Sequence, residues 1–69
     1  MPERLSNRLK ACRTELGLTQ AELAERVGVT RKTVNTVENG VFTPSTILAL
    51  KLAEALDRTV EELFQIIED

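Results

Sequence analysis

The segment from Thr19 to Gly40 carries the signals of two short helices in close succession, and this pairing constrains the fold more than any other feature. Thr19 can cap the first helix, and Glu22, three residues later, completes a capping box. Gly28 follows the apolar stripe of that helix, at a position where a left-handed residue commonly ends a helix. Thr30 can cap a second helix, which Gly40 stops. The sequence therefore predicts two helices joined by a tight glycine turn.

The second of these helices has two different faces. A step of about 100° per residue places Val34, Val37 and Glu38 on one side. The other side holds a cation, two amides and a hydroxyl, on Lys32, Asn35, Thr36 and Asn39. Such groups can bond base edges or phosphate oxygens, although an ordinary solvated helix face explains them equally well.

Several motifs carry a resemblance that covers nearly the whole chain. They are Thr19-Gln20-Ala21-Glu22-Leu23-Ala24, Gly28-Val29-Thr30 and Val37-Glu38-Asn39-Gly40. In these motifs the chain resembles the lambda-repressor-like, Cro-type (XRE) helix-turn-helix family of bacterial and phage transcriptional regulators. The resemblance implies one domain over residues 1–69, an all-α compact five-helix fold with the helix-turn-helix at helices 2 and 3, and double-stranded DNA as partner.

The same resemblance implies roles for individual residues. The positions that face bases are Arg31, Lys32, Asn35 and Thr36. The positions that hold the DNA backbone are Gln20, Thr30, Thr33 and Asn39. Arg13 and Glu38 match a partly buried ion pair. By side-chain chemistry, Arg31 and Lys32 favour guanine and Asn35 favours adenine.

Charge is divided unevenly along the chain. Residues 1–32 hold seven Lys and Arg against four acids, a balance of +3, whereas residues 33–69 hold two against seven, a balance of -5; together they give the net -2. A polarised molecule can turn its basic side to phosphate and keep its acidic side away. Segregated charge that merely aids solubility is an equally good interpretation.

Composition argues against several other classes of protein. Without a long apolar run or a signal-peptide pattern, we expect no membrane association and a cytoplasmic protein. The single Cys12 lies at helical spacing with Leu5, Leu9 and Leu16, which indicates a core thiol. The chain has no histidine and no glycine-rich phosphate loop, so we expect no metal site, cofactor, small-molecule ligand or catalytic residue.

Five helical signals recur along the sequence. The first covers about Pro2 to Leu16, with Leu5, Leu9, Cys12 and Leu16 inward. After the two motif helices, Ser45 or Thr46 caps a fourth, whose expected core residues are Ile47, Leu48, Leu50, Leu52, Ala53 and Leu56. Thr59 and Glu62 form a second capping box and open a fifth helix. No segment indicates a strand.

The predicted fifth helix is also the expected site of self-association. Its apolar residues are Val60, Leu63, Phe64, Ile66 and Ile67, which spread over more than one helical face. We expect Phe64, Ile66 and Ile67 to pack against a second copy, giving a homodimer that reads a near-palindrome. The alternative is that they cover the Leu50 and Leu56 side of the same chain.

Two functions fit these patterns. The first is a sequence-specific transcriptional regulator, a repressor that inserts its second motif helix into the major groove. The second is a protein-interaction module on the same fold, such as an antitoxin whose acidic C-terminal half binds a basic toxin. The first is favoured because the sequence ends only a few residues past its last predicted helix, which leaves little room for a toxin-binding segment.

Overall fold

The computed structural model describes residues 3–68, which form five helices and a two-stranded sheet. In chain order the elements are β1 (Glu3–Asn7), α1 (Leu9–Glu15), α2 (Gln20–Val27), α3 (Arg31–Glu38), α4 (Thr46–Ala55), α5 (Val60–Leu63) and β2 (Phe64–Glu68). The predicted five helices are therefore present, but an all-α description is incomplete.

Side-chain caps define where four of the helices begin. The hydroxyls of Thr19, Thr30, Ser45 and Thr59 each accept a hydrogen bond from the backbone N–H three residues later. The predicted capping boxes at Thr19 and Thr59 are both complete. Gly28 ends α2 in the left-handed region, with φ of 75°, as predicted. Each cap stabilises its helix by about 1 kcal/mol, so local sequence chemistry fixes these boundaries.

The core lies where α1, α2, α3, α4 and α5 converge. Its largest fully buried side chains are Leu9, Leu23, Leu52, Leu56, Leu63, Val34, Val37 and Cys12. Complete burial of one such aliphatic side chain contributes about 1.5–3 kcal/mol. Cys12 is thus a core thiol, as expected. Within residues 3–68, no helix is long and apolar enough to cross a bilayer.

The first predicted helix starts too early. Of that prediction, Pro2 lies outside the described residues, whereas Glu3–Asn7 form β1 and the helix begins only at Leu9. β1 pairs in antiparallel register with β2, with Leu5 opposite Ile66 and Asn7 opposite Phe64. This long-range pairing, which a window of neighbouring residues does not reveal, overrides the helical spacing of the segment.

The last predicted helix is only one turn long. It stops at Leu63, and Phe64–Glu68 continue as β2. An aromatic residue followed by Ile66 and Ile67 suits a pleated strand as well as an apolar helix face, so apolar content alone did not separate the two.

Four residues predicted to lie inward face outward instead. Leu5 is on the sheet and Leu16 is the C-terminal cap of α1, and both are exposed. Ile47 and Leu50 are exposed on α4, at 68% and 57%. Leu48, Leu52 and Ala53 provide the buried face of that nearly all-apolar helix. When a helix is apolar on several sides, the spacing of its apolar residues does not identify which face is buried.

Candidate nucleic-acid interface

Helix α3 presents the predicted polar face. Val34 and Val37 are buried and anchor the helix to the core. Arg31, Lys32 and Asn35 are exposed on its other side. α3 follows α2 after the left-handed Gly28, and the two helices pack against each other. The motif thus holds one helix face clear of the core.

The Arg13 and Glu38 side chains form the ion pair that the resemblance implies. Arg13 Nε donates to Glu38 Oε2 at 2.7 Å, and Nη2 donates to Oε1 at 3.3 Å. Nη1 donates to the Leu18 carbonyl at 2.7 Å. The side chains are only 10% and 3% exposed, so the pair is a structural link between α1 and α3.

Gln20 connects this pair to the exposed face of α3. Its Nε2 donates to Glu38 Oε1 at 3.0 Å and to Asn35 Oδ1 at 3.2 Å. Asn39 Nδ2 donates to the same Asn35 oxygen, also at 3.2 Å. Both amide hydrogens of Gln20 are therefore used within the protein, where the resemblance implies a phosphate contact. The structure brings together four predicted site residues, but as a network rather than as separate contacts.

The three threonines of the predicted site also bond within the motif. Thr30 Oγ1 accepts the Thr33 backbone N–H at 3.2 Å and lies 3.1 Å from Thr33 Oγ1. Thr36 is half-buried, and its hydroxyl donates to the Thr33 carbonyl at 2.9 Å. Thr36 can therefore offer a base its methyl group and an oxygen lone pair, while its proton stays on the helix.

Asn7 holds the C-terminal end of α3, a role that the sequence did not predict. Its Nδ2 donates to the Val37 carbonyl at 3.0 Å, and its Oδ1 accepts the Leu9 backbone N–H at the same distance. One side chain thus serves the start of α1 and the end of α3. An asparagine two residues before a helical pattern is the local signal, although the contact with Val37 depends on tertiary structure.

The loop after α3 adds two exposed apolar side chains next to the polar face. The backbone N–H groups of Val41 and Phe42 both donate to the Thr36 carbonyl, at 2.9 and 3.2 Å. Both side chains border a shallow hollow beside Lys32 and Thr33. Val41 is 79% exposed and Phe42 is 48% exposed, so both apolar side chains lie open to solvent beside the polar face.

The residues predicted for self-association lie on the sheet rather than on a helix. Phe64 is buried in the core of its own chain, with 8% of the residue exposed, so little of its surface remains for the predicted contact with a second copy. Ile66 and Ile67 are both exposed. Because neighbouring strand residues alternate, Ile66 shares a face with Phe64, and Ile67 lies on the opposite face.

The geometry offers donors and cations on the exposed face of a helix that is anchored in the core. Arg31 and Lys32 lie in the first turn of α3, where the helix dipole also favours anions. Long cationic side chains there can reach phosphates or guanine edges, and amides can bond other bases. The width of one helix matches the major groove of B-form DNA. The arrangement is therefore chemically suited to reading a duplex.

Comparison with known proteins places this geometry in a family. A helix-turn-helix family model matches residues 9–63. An uncharacterized HTH-type transcriptional regulator of Methanothermobacter thermautotrophicus is 57% identical over 58 residues, which cover 83% of this chain and 84% of the relative. A more distant relative, the antitoxin HipB of Escherichia coli, is 32% identical over 56 residues, covering 81% of this chain and 60% of HipB.

Solved structures agree with the sequence relatives. The restriction-modification controller protein C.AhdI from Aeromonas hydrophila superposes with a TM-score of 0.76 at 44% identity, over 80% of this chain and 83% of that one. SinR, the master regulator for biofilm formation, solved in complex with DNA, gives 0.73 at 33% identity, over 78% and 87%. The chain therefore belongs to the Cro-type (XRE) helix-turn-helix family of DNA-binding transcriptional regulators.

Proposed function

We propose that this regulator is a repressor that binds a specific operator by placing α3 in the major groove. The observation that carries the proposal is the exposed polar face of α3, whose opposite face is fixed by the buried Val34 and Val37. A reading helix must hold its side chains in register with the bases, and a helix anchored in the core meets that requirement.

The proposal assigns base and backbone contacts to different residues. The base-facing set comprises Arg31, Lys32, Asn35 and Thr36. The backbone-facing set comprises Thr30, Thr33 and Asn39, to which the resemblance adds Gln20. Because both amide hydrogens of Gln20 are engaged, its proposed role is to position Asn35, with the first-turn N–H groups of α2 as phosphate donors.

We propose further that the protein acts as a homodimer. Ile66 and Leu5 are directly opposed in the sheet and are both exposed, at 69% and 36%. An apolar hollow between β1 and α4, lined by Leu5, Ala49 and Leu50, continues this surface. A two-fold dimer doubles the number of base pairs read and places α3 at half-sites roughly 34 Å apart. The sheet and α4 thus supply the proposed interface.

Repression by such a dimer requires only occupancy. A dimer bound over a promoter blocks polymerase, so the proposed function takes place in the cytoplasm and needs no catalytic step, cofactor or small-molecule ligand. The +3 balance of residues 1–32, which include Arg31 and Lys32, supports approach to DNA.

Selection of bound sequences from a random duplex pool tests this function. The expected result is one enriched near-palindrome with half-sites about one helical turn apart, and repression of a reporter when that sequence overlaps its promoter. A pool in which no sequence is enriched overturns the proposal. Activation of the reporter contradicts the repressor assignment alone.

An antitoxin function is a second candidate, favoured by the similarity to HipB and by the -5 balance of residues 33–69. It ranks lower because the similarity leaves 40% of HipB unmatched and includes the same helix-turn-helix segment that serves DNA binding. Expression of this protein together with a basic toxin tests this candidate. If the protein is an antitoxin, the toxin should no longer inhibit growth, whereas operator binding alone leaves the inhibition unchanged.

A further inference from the structure

A continuous chain of hydrogen bonds runs from the buried ion pair to the exposed face of α3. Glu38 Oε1 accepts from Gln20 Nε2 at 3.0 Å, and the same Nε2 donates to Asn35 Oδ1 at 3.2 Å. Asn39 Nδ2 donates to Asn35 Oδ1 at 3.2 Å. We name Glu38, Gln20, Asn35 and Asn39 the amide relay.

Elementary chemistry fixes the direction of every bond in the amide relay. The Glu38 carboxylate, which Arg13 already pairs, can only accept hydrogen bonds. Gln20 must therefore turn its nitrogen, not its oxygen, toward Glu38. The second hydrogen of that nitrogen is donated to Asn35, which must accept it with its amide oxygen. The orientation of the Asn35 amide thus follows from the charge of Glu38, two steps away.

The oxygen of Asn35 has no capacity left for a base. An amide oxygen has two lone pairs, and those of Asn35 accept from Gln20 and Asn39. Its Nδ2, by contrast, has no acceptor among residues 3–68, and the residue is exposed. Asn35 therefore offers the outside a pair of donors and no acceptor.

Donors alone cannot make the two-bond contact by which asparagine recognises adenine, because adenine N6 needs an acceptor. The major-groove acceptors for an outward NH₂ are O6 and N7 of guanine, O4 of thymine and N7 of adenine, but only guanine and thymine present an acceptor with no amino group beside it on the same base. Cytosine offers only an amino group, and adenine offers N7 beside an amino group that would face the Asn35 NH₂ donor to donor. The expectation that Asn35 favours adenine does not fit this geometry.

We infer that Asn35 selects a keto base, guanine or thymine, at one position of each half-site, and that Glu38 sets this preference through Gln20. This inference rests on the proposed operator binding. Asn35 is a specificity-determining residue that contacts the base, whereas Gln20 and Glu38 are positioning residues that act through it.

The replacement Asn35→Asp tests the inference with almost no change in shape. One carboxylate oxygen can still accept from Gln20 and Asn39, while the other replaces the outward NH₂ and turns a donor into an acceptor. Sequences are selected from a random duplex pool with the wild type, with Asn35→Asp and with Asn35→Ala. The position read by Asn35 is the one at which Asn35→Ala loses its preference.

At that position we expect the wild type to prefer a keto base by roughly fivefold or more, and Asn35→Asp to prefer cytosine or adenine instead. The added negative charge also weakens binding to every sequence, so the ranking of bases is compared, not the affinity. Gln65→Glu is the matched control, since it makes the same chemical change on β2, outside α2 and α3. Its selected sequence should equal that of the wild type.

The variant Gln20→Ala provides an independent test that keeps Asn35. It removes the one donor whose direction the Glu38 carboxylate fixes. The Asn39 amide makes no other hydrogen bond among residues 3–68 and can turn together with Asn35, so adenine should become acceptable at the same position. A wild type that enriches no sequence contradicts the proposed function. An enriched wild-type sequence with adenine at this position, or one that neither Asn35→Asp nor Gln20→Ala alters, overturns the inference and leaves the proposed function standing. Thermal unfolding checks that each variant is folded. If Asn35→Asp does not fold, Gln20→Ala alone tests the inference.

Discussion

The Arg13 guanidinium donates two hydrogen bonds to the Glu38 carboxylate, at 2.7 and 3.3 Å, and so joins α1 to the last turn of α3. Both side chains are almost fully buried. Removal of either partner leaves the other charge in the core without a counter-charge. Replacement of both partners by apolar groups leaves no buried charge. The pair therefore couples the stability of the domain to the position of α3.

Replacement of Arg13 alone should destabilise the protein strongly. We expect Arg13→Met to lower the free energy of unfolding by about 3–5 kcal/mol, because Glu38 stays buried and loses its counter-charge. Urea unfolding monitored by circular dichroism measures the change. The control is Arg58→Met, which breaks an exposed pair with Glu15 (3.1 Å) and should cost at most about 1 kcal/mol.

The double variant Arg13→Met/Glu38→Leu separates buried charge from lost packing. If the cost of Arg13→Met comes from the uncompensated carboxylate, the double variant should recover most of the stability. Equal losses in Arg13→Met and Arg58→Met would contradict the role assigned to burial.

The capping boxes should make stability depend on acid pH. The Thr19 backbone N–H and hydroxyl, helped by Arg26, lower the pKa of Glu22 below its usual 4.5, and the equivalent groups of Thr59 lower the pKa of Glu62. A lowered pKa in the folded state adds stability that is complete above the unfolded value and is lost as pH falls through the folded value. The urea concentration at the midpoint of unfolding should therefore decrease as the pH is lowered below about 4.5.

Glutamine replacements test the source of that dependence. Glu22→Gln and Glu62→Gln together keep the N3 side chains that complete the boxes but remove their titration. The double variant should lose less stability than the wild type between about pH 6 and about pH 3. A loss of equal size in both proteins would assign the acid sensitivity to other carboxylates.

Local chemistry predicted much of this fold because the caps are local. The boxes at Thr19 and Thr59, the cap at Thr30 and the left-handed Gly28 each depend on residues within a few positions of one another. The sheet could not be predicted in this way. Leu5 and Ile66 meet across sixty positions of sequence, and their segments carry helical spacing that their pairing overrides.

The same difference between local and long-range contacts decides which features of the candidate site could be predicted. Periodicity separated the buried Val34 and Val37 from the exposed polar residues of α3, since that distinction depends on helix geometry alone. The bonds from Gln20 to Asn35 and from Asn7 to Val37 link different elements. Which atoms of Asn35 face outward follows from the bonds that Gln20 and Asn39 donate to it, and residue type alone does not indicate this orientation.

Lys32 should contribute to discrimination more than to general attraction. We expect Lys32→Ala to reduce the preference for the selected operator over single-base variants by about 1–3 kcal/mol at one base pair. Fluorescence anisotropy titrations at fixed salt measure the preference. The control Lys51→Ala removes an exposed cation on α4 and should leave the preference unchanged. The same loss of discrimination in both variants would mean that Lys32 acts only through its charge.

The sheet surface should carry self-association. We expect the wild type to sediment as a dimer and Ile66→Asp to sediment as a monomer with the same fold, because Ile66 is 69% exposed and its replacement leaves the core intact. Leu16→Asp, at the far end of α1 from β1, introduces the same charge at an exposed apolar site and should stay dimeric. A wild type that remains monomeric at high protein concentration would rule out the proposed interface.

The most direct test of the central claim is selection from a random duplex pool with a variant in which the four base-facing residues, Arg31, Lys32, Asn35 and Thr36, are all alanine. Val34 and Val37 remain, so thermal unfolding should show a folded domain. If the exposed face of α3 reads the operator, the wild type enriches a near-palindrome and the folded variant enriches no sequence. Enrichment of the same sequence by both proteins would contradict the account.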